Sequence, residues 1–412
     1  MERTFLWVMA CVVMASARSL HAGNIISVTS GESIQAAIDI AVDGTLIQVG
    51  PGLYTENIDF LGKNISVVAT NGSAATTLAA PGSLMPIVTI TNAAEMNDIL
   101  FEGFTVTGGN VESNGAGIFI NDADPVIRGC SIENNTALLD GGGVYINGGA
   151  EPVFEECLFT GNDADRGGAV YAESATPVYK DCIFRNNTAS RGAGMANIGG
   201  SSPMVIQCLF HDNVASAFGG GMYNAGGSDP AMIQCTFSRN GAFTGGGMYL
   251  DGSGATSVNS IYWDNTDTSG TTSSAQINVQ AGTPIVTSSI VQGGFAGAGN
   301  LNADPLFENP VGGDFQIADF SPAIDAGDNT AVPMSRMVDL DDNPRFVDDE
   351  GVTDTGIGTA PIVDIGVFEH QINSELMFIA VPATFGLIQE AINAAGPNAV
   401  IEISAGTYNE TL

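Results

Sequence analysis

The segment Cys130-Ser-Ile-Glu-Asn-Asn135 opens a series of near-copies that sets the organisation of the chain. The later copies are Cys157-Leu-Phe-Thr-Gly-Asn162, Cys182-Ile-Phe-Arg-Asn-Asn187, Cys208-Leu-Phe-His-Asp-Asn213, Cys235-Thr-Phe-Ser-Arg-Asn240 and Ser260-Ile-Tyr-Trp-Asp-Asn265. Their first residues lie 27, 25, 26, 27 and 25 positions apart. A glycine-rich turn keeps the same period and precedes Val144, Val170, Met195, Met222 and Met248. Self-similarity at such a period is typical of a repeat architecture.

In the four copies that read Cys-x-Phe, the cysteine and the phenylalanine alternate with other residues and therefore share one face of a strand. The asparagine lies where the chain must turn, and stacked asparagines can form an amide ladder. The predicted inner columns are Cys130, Cys157, Cys182, Cys208 and Cys235, and Asn135, Asn162, Asn187, Asn213, Asn240 and Asn265. We interpret the cysteines as small buried hydrophobes, because equivalent positions on stacked coils point the same way and no histidine shares their pattern.

A coil of this length with several short strands predicts an all-β parallel solenoid with about 4.8 Å between coils. A leucine-rich repeat would need a leucine pattern that is missing, and a propeller blade would need a longer period. Near the start, Ile34, Ala37, Ile38 and Ala41 follow the spacing of one helix face, and Ser30 could cap that helix. We expect this helix to close the exposed end of the solenoid.

The charge balance is strongly acidic, with 45 Asp plus Glu against 11 Lys plus Arg. A nucleic-acid partner is therefore not expected, because too few cations are available to neutralise phosphates. Residues 1–22 are predicted to be a secretory signal peptide, since their apolar run is too short to span a bilayer. The remaining, mature chain contains no other hydrophobic stretch of membrane length, so we expect export.

The motifs and repeats of the sequence divide the chain into four segments. The predicted domains are the signal peptide at 1–22, a parallel β-helix at 23–300, a C-terminal module at 301–370 and the start of a second, truncated β-helix at 371–412. The last segment repeats the opening at an offset of 354 residues, with Ile388 matching Ile34 and Tyr408 matching Tyr54. The chain could thus be a fragment of a longer protein.

Two family resemblances follow from these motifs. The motifs Phe-x-x-Asn and Gly-Gly-Ala/Gly-Val/Met-Tyr resemble the repeats of polymorphic outer-membrane-protein adhesins. This resemblance implies a right-handed parallel β-helix of the pectin-lyase type. The motifs of 301–370 are similar to the choice-of-anchor module, type Q, of exported bacterial β-helix proteins, which implies surface display. Those motifs are Asp304-Pro-Leu-Phe307, Gly313-Asp-Phe-Gln316, Ser321-Pro-Ala-Ile-Asp-Ala-Gly327, Asp339-Leu-Asp-Asp-Asn-Pro-Arg345 and Val363-Asp-Ile-Gly-Val-Phe-Glu369.

An aromatic stripe is the first candidate site. It consists of Phe119, Tyr145, Tyr171, Tyr223 and Tyr249, each directly after an inward residue, and only Ala196 interrupts it. Strand alternation therefore places these rings outside. Exposed rings could stack on sugars or on a partner, although a stacked ladder that only stabilises the sheet is the alternative.

Charged residues supply the other candidates. An enzyme of the pectin-lyase-like fold would need acids and an Arg or Lys base on one outer face, and the best local cluster contains Asp140, Asp163, Asp165, Arg166, Arg185 and Arg191. The alternative is a surface ion-pair ladder of small energetic value. Asp339, Asp341 and Asp342 could hold a structural Ca²⁺, although their spacing is not that of an EF-hand.

From the sequence we expect a secreted or cell-surface β-helix protein that is adhesive or glycan-binding, is monomeric and is without catalysis. The partner would be a polysaccharide or a cell-surface component. No catalytic residue and no cofactor is predicted, apart from a possible structural Ca²⁺. The alternative is a polysaccharide lyase or glycoside hydrolase of the same fold.

Overall fold

The computed structural model describes residues 24–91, 99–334, 337–349 and 351–371, together with Ile388 and strands Phe378–Val381 and Val400–Ile403. The predicted signal peptide at 1–22 lies outside the described residues. In each regular coil the chain passes through four short strands, for example Val144–Asn147, Val153–Glu155, Leu158–Thr160 and Asp163–Arg166. Each strand pairs in parallel with its counterpart in the next coil. The predicted all-β parallel solenoid is confirmed.

Four parallel sheets, A to D, run along the solenoid. Sheet A contains Ile25–Val28, Leu46–Val49, Ser66–Ala69, Leu100–Glu102, Val126–Arg128, Val153–Glu155, Val178–Lys180, Met204–Ile206, Ala231–Ile233, Thr256–Val258 and Ile285–Thr287. Sheet B contains Gly52–Thr55, Thr76–Ala79, Thr105–Thr107, Ser131–Glu133, Leu158–Thr160, Ile183–Arg185, Leu209–His211, Thr236–Ser238, Ile261–Trp263 and Ile290–Val291.

Sheets C and D follow sheet B in each coil. Sheet C contains Ile58–Asp59, Val88–Thr91, Ile118–Asn121, Val144–Asn147, Val170–Glu173, Met195–Ile198, Met222–Ala225, Met248–Asp251 and Ile277–Ala281. Sheet D is shorter and contains Asn110–Val111, Thr136–Ala137, Asp163–Arg166, Thr188–Arg191 and Val214–Phe218. Sheet D stands between the end of sheet B and the start of sheet C, so it forms a ridge beside the outer face of sheet C.

The interior consists of columns of like side chains. Phe159, Phe184, Phe210 and Phe237 are fully buried and stack face to face, with ring centroids 4.6, 4.4 and 4.5 Å apart. Tyr262 continues the stack at 4.9 Å. Stacking at this distance contributes about 0.5–1.5 kcal/mol per pair beyond the area that each ring buries.

A short helix, Ile34–Ile40, lies at the first coils and buries Ile34, Ala37 and Ile38 against the core. The predicted apolar face is confirmed, but the predicted cap is wrong, since Ser33 rather than Ser30 is the N-cap. Glu56 completes the cap, because its carboxylate accepts hydrogen bonds from Ser33 Oγ (2.7 Å) and from the backbone N–H of Ile34 (2.8 Å). An anion is stabilised there by the unpaired N–H groups of the first turn.

The segment after the last coil is mostly irregular. It contains the antiparallel pair Phe307–Asn309 and Asp314–Ile317, and the 3-10 turns Pro310–Gly312 and Asn329–Ala331. A second short helix, Ser273–Gln276, lies earlier, directly before the last strand of sheet C. Residues 301–370 pack on the outer side of the β-helix, where the side chain of Asn259 exchanges two hydrogen bonds with the backbone of Asp328 (2.7 and 2.9 Å).

Two compact units divide the chain at His370. The first extends to His370 and contains both the β-helix and the segment 301–370. The second, Gln371–Leu412, contains the parallel pair Phe378–Val381 and Val400–Ile403. Residues on both sides of position 300 belong to this first unit, and the predicted domain boundary at 300 stays a prediction. That 371–412 begins a second β-helix stays a prediction.

Candidate functional site

The asparagine column lies at the turns that lead from sheet B to sheet D and is fully buried. Each amide Nδ2 donates to the Oδ1 of the asparagine in the next coil, at 3.1, 3.0, 2.9, 2.9 and 2.8 Å from Asn135 to Asn265. The same Nδ2 atoms also donate to backbone carbonyls, as Asn187 does to Phe159 (3.0 Å). Gln276 ends the column by accepting from Asn265 Nδ2 at 2.7 Å. The asparagines thus satisfy one another and hold the coils in register.

The five cysteines of the repeat are buried and carry free thiols. Their Sγ atoms donate weakly to backbone carbonyls, as Cys182 does to Lys180 at 3.2 Å. Burial raises the pKa of each thiol, to about 12 for Cys235 and well above the usual range for Cys182. A thiol that stays protonated is neither a nucleophile nor a metal ligand. This column is scaffold.

The aromatic stripe lies on the outer face of sheet C. The rings of Phe119, Tyr145 and Tyr171 stack with centroids 5.4 and 5.3 Å apart, and those of Tyr223 and Tyr249 are 5.7 Å apart. The rings cluster with one another and separately from the interior. The predicted outward direction is confirmed.

The predicted exposure of the stripe is wrong, because Tyr145, Tyr171, Tyr223 and Tyr249 are only 5, 1, 6 and 7% exposed. The spacing of the coils brings each ring face onto the next. The ridge of sheet D covers other parts of the stripe, with the guanidinium of Arg166 4.9 Å from the centre of the Tyr171 ring. Phe218 lies 4.7 Å from the Tyr249 ring between centroids. The flat faces are therefore unavailable to a ligand.

A polar rim borders the stripe and is more open. The Tyr145 hydroxyl lies 3.5 Å from both Glu173 Oε2 and Asn147 Nδ2. Burial, followed by the negative charge of Glu173, raises the pKa of Tyr145. The rim therefore carries neutral hydroxyl donors beside carboxylate and amide groups.

The predicted acid and arginine cluster does not converge. Arg166 forms a bidentate pair with Asp140, in which both distances are 2.7 Å. Arg191 lies over the Phe218 ring at 5.9 Å, while Arg185 ends a strand of sheet B on another side of the coil. Asp163 accepts a hydrogen bond from Thr188, and Asp165 lies on sheet D near Arg166. Arg166 is thus engaged by Asp140 and Tyr171 and is not free to act as a base.

The acids Asp339, Asp341 and Asp342 also differ from the expected cation site. Asp339 is 2% exposed and accepts from the backbone N–H groups of Asp341 (3.0 Å), Asn343 (2.9 Å) and Glu369 (3.1 Å). The side chain of Asp341 instead accepts from Gln316 Nε2 at 2.7 Å. These carboxylates order a turn, and a Ca²⁺ at them stays a prediction without support from this geometry.

A buried charge network was missed by the sequence analysis. Arg345 is fully buried and donates to the carbonyls of Gly366 (3.2 Å) and Val367 (2.7 Å) and to Gln207 Oε1 (2.9 Å) of the β-helix. Its guanidinium lies 3.6 Å from Glu369. Burial raises the pKa of Glu369 and of Asp364. The motifs that contain these residues were visible in the sequence, but nothing in their spacing showed that the charges lie inside.

A family model described as "Right handed beta helix region" matches residues 88–229 and 165–305, more than half of the chain. The chain belongs to this β-helix family. The match covers the regular coils with both the asparagine column and the aromatic stripe. Within the described part of the chain, no helix is long and apolar enough to cross a membrane.

One curated relative and two solved structures place this β-helix chain among known proteins. A "Cell surface glycoprotein" of Methanothermus fervidus is 38% identical over 105 residues, which are 25% of this chain and 15% of the relative. The match to the crystal structure of pectate lyase Pel9A covers 85% of this chain and 97% of the lyase chain, with a TM-score of 0.48 and 12% identity. The match to pectin methylesterase from carrot covers 69% of this chain and 86% of the esterase chain, with a TM-score of 0.34 and 14% identity.

Proposed function

We propose that this β-helix protein is exported and displayed at a cell surface, where it binds an extended polymer such as a polysaccharide without catalysis. The observation that carries the proposal is the polar rim of the aromatic stripe on sheet C. The rim carries hydrogen-bonding side chains on three successive coils, at Asn121, Asn147 and Glu173, beside the ridge of sheet D.

The closed ring faces decide how a ligand would be recognised. Because the rings stack on one another, recognition would use the hydroxyl edges and the rim groups, above all Tyr145, Asn147 and Glu173. Hydroxyl, amide and carboxylate groups are suited to a hydroxyl-rich ligand, with which they can both donate and accept. The ordered ladder below the rim keeps these groups at fixed positions, which lowers the entropy that binding must overcome.

Four further observations support surface display. A relative named "Cell surface glycoprotein" shares 38% identity over 105 residues, although the chain spans only 15% of its length. The predicted signal peptide, the resemblance to adhesin repeats and the resemblance of 301–370 to an anchor-associated module favour the same location. On this proposal 371–412 would begin a second β-helix of the same surface protein.

Binding to an array of neutral and acidic glycans tests the proposal directly. The variant Tyr145→Phe with Glu173→Gln removes polar groups of the rim while it keeps the stacked ring. We expect binding at least tenfold weaker, which corresponds to about 1.4 kcal/mol. Tyr179→Phe is the matched control, because that hydroxyl is buried in the core and has no partner among the described residues.

Two results would contradict the proposal. One is unchanged glycan binding by the Tyr145→Phe, Glu173→Gln variant. The other is turnover of uronate polymers that is abolished by Arg166→Ala or Arg185→Ala, which would instead establish the polysaccharide-lyase alternative.

A further inference from the structure

A separate group of carboxylates lies in the segment 301–370, away from the aromatic stripe. Asp325 is fully buried, and both its backbone N–H and its backbone carbonyl form hydrogen bonds. Its N–H donates to Asp364 Oδ1 at 2.7 Å, and its carbonyl accepts from the N–H groups of Thr355 (3.0 Å) and Gly356 (3.1 Å). The position of the Asp325 side chain is thus set by the surrounding backbone.

The carboxylate of Asp325 is buried without compensation. Neither of its oxygens has a hydrogen-bond partner among the described residues. The structure also shows no ion pair between Asp325 and any described Lys, Arg or His. An ionised carboxylate removed from water is strongly unfavourable unless it is paired, hydrogen-bonded or bound to a metal ion.

Two more carboxylates converge on this one. Asp348 and Asp354 are exposed, and one oxygen of each lies within 4.8 Å of the other and of an oxygen of Asp325. Oxygens that each lie about 2.3–2.6 Å from one Ca²⁺ can be at most about 4.6–5.2 Å apart. The spacing therefore suits a shared cation.

The electrostatics agree with this geometry. Burial, followed by the negative charges of Asp354 and Asp348, raises the pKa of Asp325 to about 6. The backbone N–H of Asp349 lies near enough to oppose part of that rise, although it does not reach hydrogen-bond geometry. A divalent cation would reverse the repulsion among the three groups.

We propose that Asp325, Asp348 and Asp354 form a Ca²⁺ site. Ca²⁺ takes six to eight oxygen ligands in irregular arrangements, so three carboxylates from two segments, completed by water at the open side, suit it better than Mg²⁺, which demands an octahedron. The ion joins the segment that carries Asp348 and Asp354 to the buried turn at Asp325. That turn leads into Asp328, which contacts Asn259 of the β-helix, so the ion strengthens the packing of 301–370 on the solenoid.

Calorimetric titration of the whole protein with CaCl₂ after EDTA treatment tests the site, together with thermal unfolding in Ca²⁺ and in EDTA. We expect binding of one Ca²⁺ and a higher Tm with Ca²⁺. Asp348→Asn with Asp354→Asn changes only exposed side chains and should weaken binding at least tenfold. Glu308→Gln is the control, since it removes an exposed carboxylate of 301–370 that lies outside both acidic groups.

Asp325→Asn separates a cation ligand from a merely structural residue. This change removes an uncompensated buried charge, so the variant in EDTA should unfold at a Tm equal to or above that of the wild type in EDTA, while its response to Ca²⁺ is lost. Three outcomes would overturn the proposal: no Ca²⁺ binding by the wild type at millimolar concentration, Ca²⁺ binding unchanged by Asp348→Asn with Asp354→Asn, or an undiminished response to Ca²⁺ in Asp325→Asn.

Discussion

The regular coils, residues 130–265, and the segment 301–370 differ in how their buried polar groups are paired. In the coils, each asparagine of the column from Asn135 to Asn240 is paired with the identical residue of the next coil, so one arrangement is repeated. In 301–370, the buried charged groups differ in their surroundings, since Arg345 donates to Gln207, Gly366 and Val367. Neither carboxylate oxygen of Asp325 has a hydrogen-bond partner among the described residues.

The difference teaches how each region distributes its stability. A repeat array is stabilised by similar contributions from each coil and its neighbours, so no single residue dominates. A buried charge network concentrates its free energy in a few residues, because removing one partner leaves the others uncompensated. The packing of 301–370 on the β-helix should therefore be more sensitive to single substitutions than the coils are.

The largest effect is expected for Arg345→Met. This change leaves the carboxylate of Glu369 and two backbone carbonyls buried without their cation, and we expect a loss of about 3–5 kcal/mol in the free energy of opening of 301–370. Hydrogen exchange of the backbone amides measures this opening. The half-buried Arg128, whose side chain is 40% exposed and pairs with Glu155, is replaced by Met as the control and should change it by less than about 1 kcal/mol. Equal effects of the two substitutions would remove the distinction between the regions.

A smaller effect is expected for Asn187→Ala in the asparagine column. The change removes the side-chain donor to the Phe159 carbonyl and the acceptor for the backbone N–H of Asn162, whose Nδ2 keeps its bond to the Ile132 carbonyl. We expect a cost of about 1–3 kcal/mol. We expect amides of the adjoining coils to exchange faster, while those of 301–370 stay unchanged.

Asn186→Gly is the matched control for that experiment. Asn186 is exposed and has a φ of 54°, which glycine adopts without strain. If Asn186→Gly accelerated exchange as much as Asn187→Ala, the amide column would not be the element that holds the register.

The smallest effect is expected for Arg166→Ala, which breaks the bidentate pair with Asp140. The arginine side chain is 33% exposed, so solvent screens the pair and we expect a loss of no more than about 1 kcal/mol. Urea unfolding in low and in high salt measures it, and the difference between variant and wild type should shrink in high salt. A loss above about 2 kcal/mol would show that charge pairs on the ridge of sheet D matter as much as those inside 301–370.

Local and periodic features were predictable from the sequence. The period, the inner columns of phenylalanine and asparagine and the apolar face of the first helix all follow from strand alternation and helical spacing, which are short-range rules. The part of the cap that Glu56 supplies was not predictable, because Glu56 reaches the helix from the bend after strand Gly52–Thr55.

The candidate sites depended on contacts between distant residues. The outward direction of the aromatic stripe follows from alternation within a strand. Its burial follows only from the stacking of successive coils and from Arg166 and Phe218 on the neighbouring ridge. The buried Arg345 and the converging Asp325, Asp348 and Asp354 were likewise invisible as a site, because nothing in their order along the chain fixes how the loops of 301–370 fold back.

By itself, then, the sequence determined that this protein is a stack of similar coils and which side of each strand faces inward. Only the tertiary structure decided which outward-facing side chains remain accessible to a ligand and which buried charged side chains lack a partner. The physical reason is that a strand's direction is set by its own backbone geometry, whereas burial and electrostatic environment are set by everything packed around it.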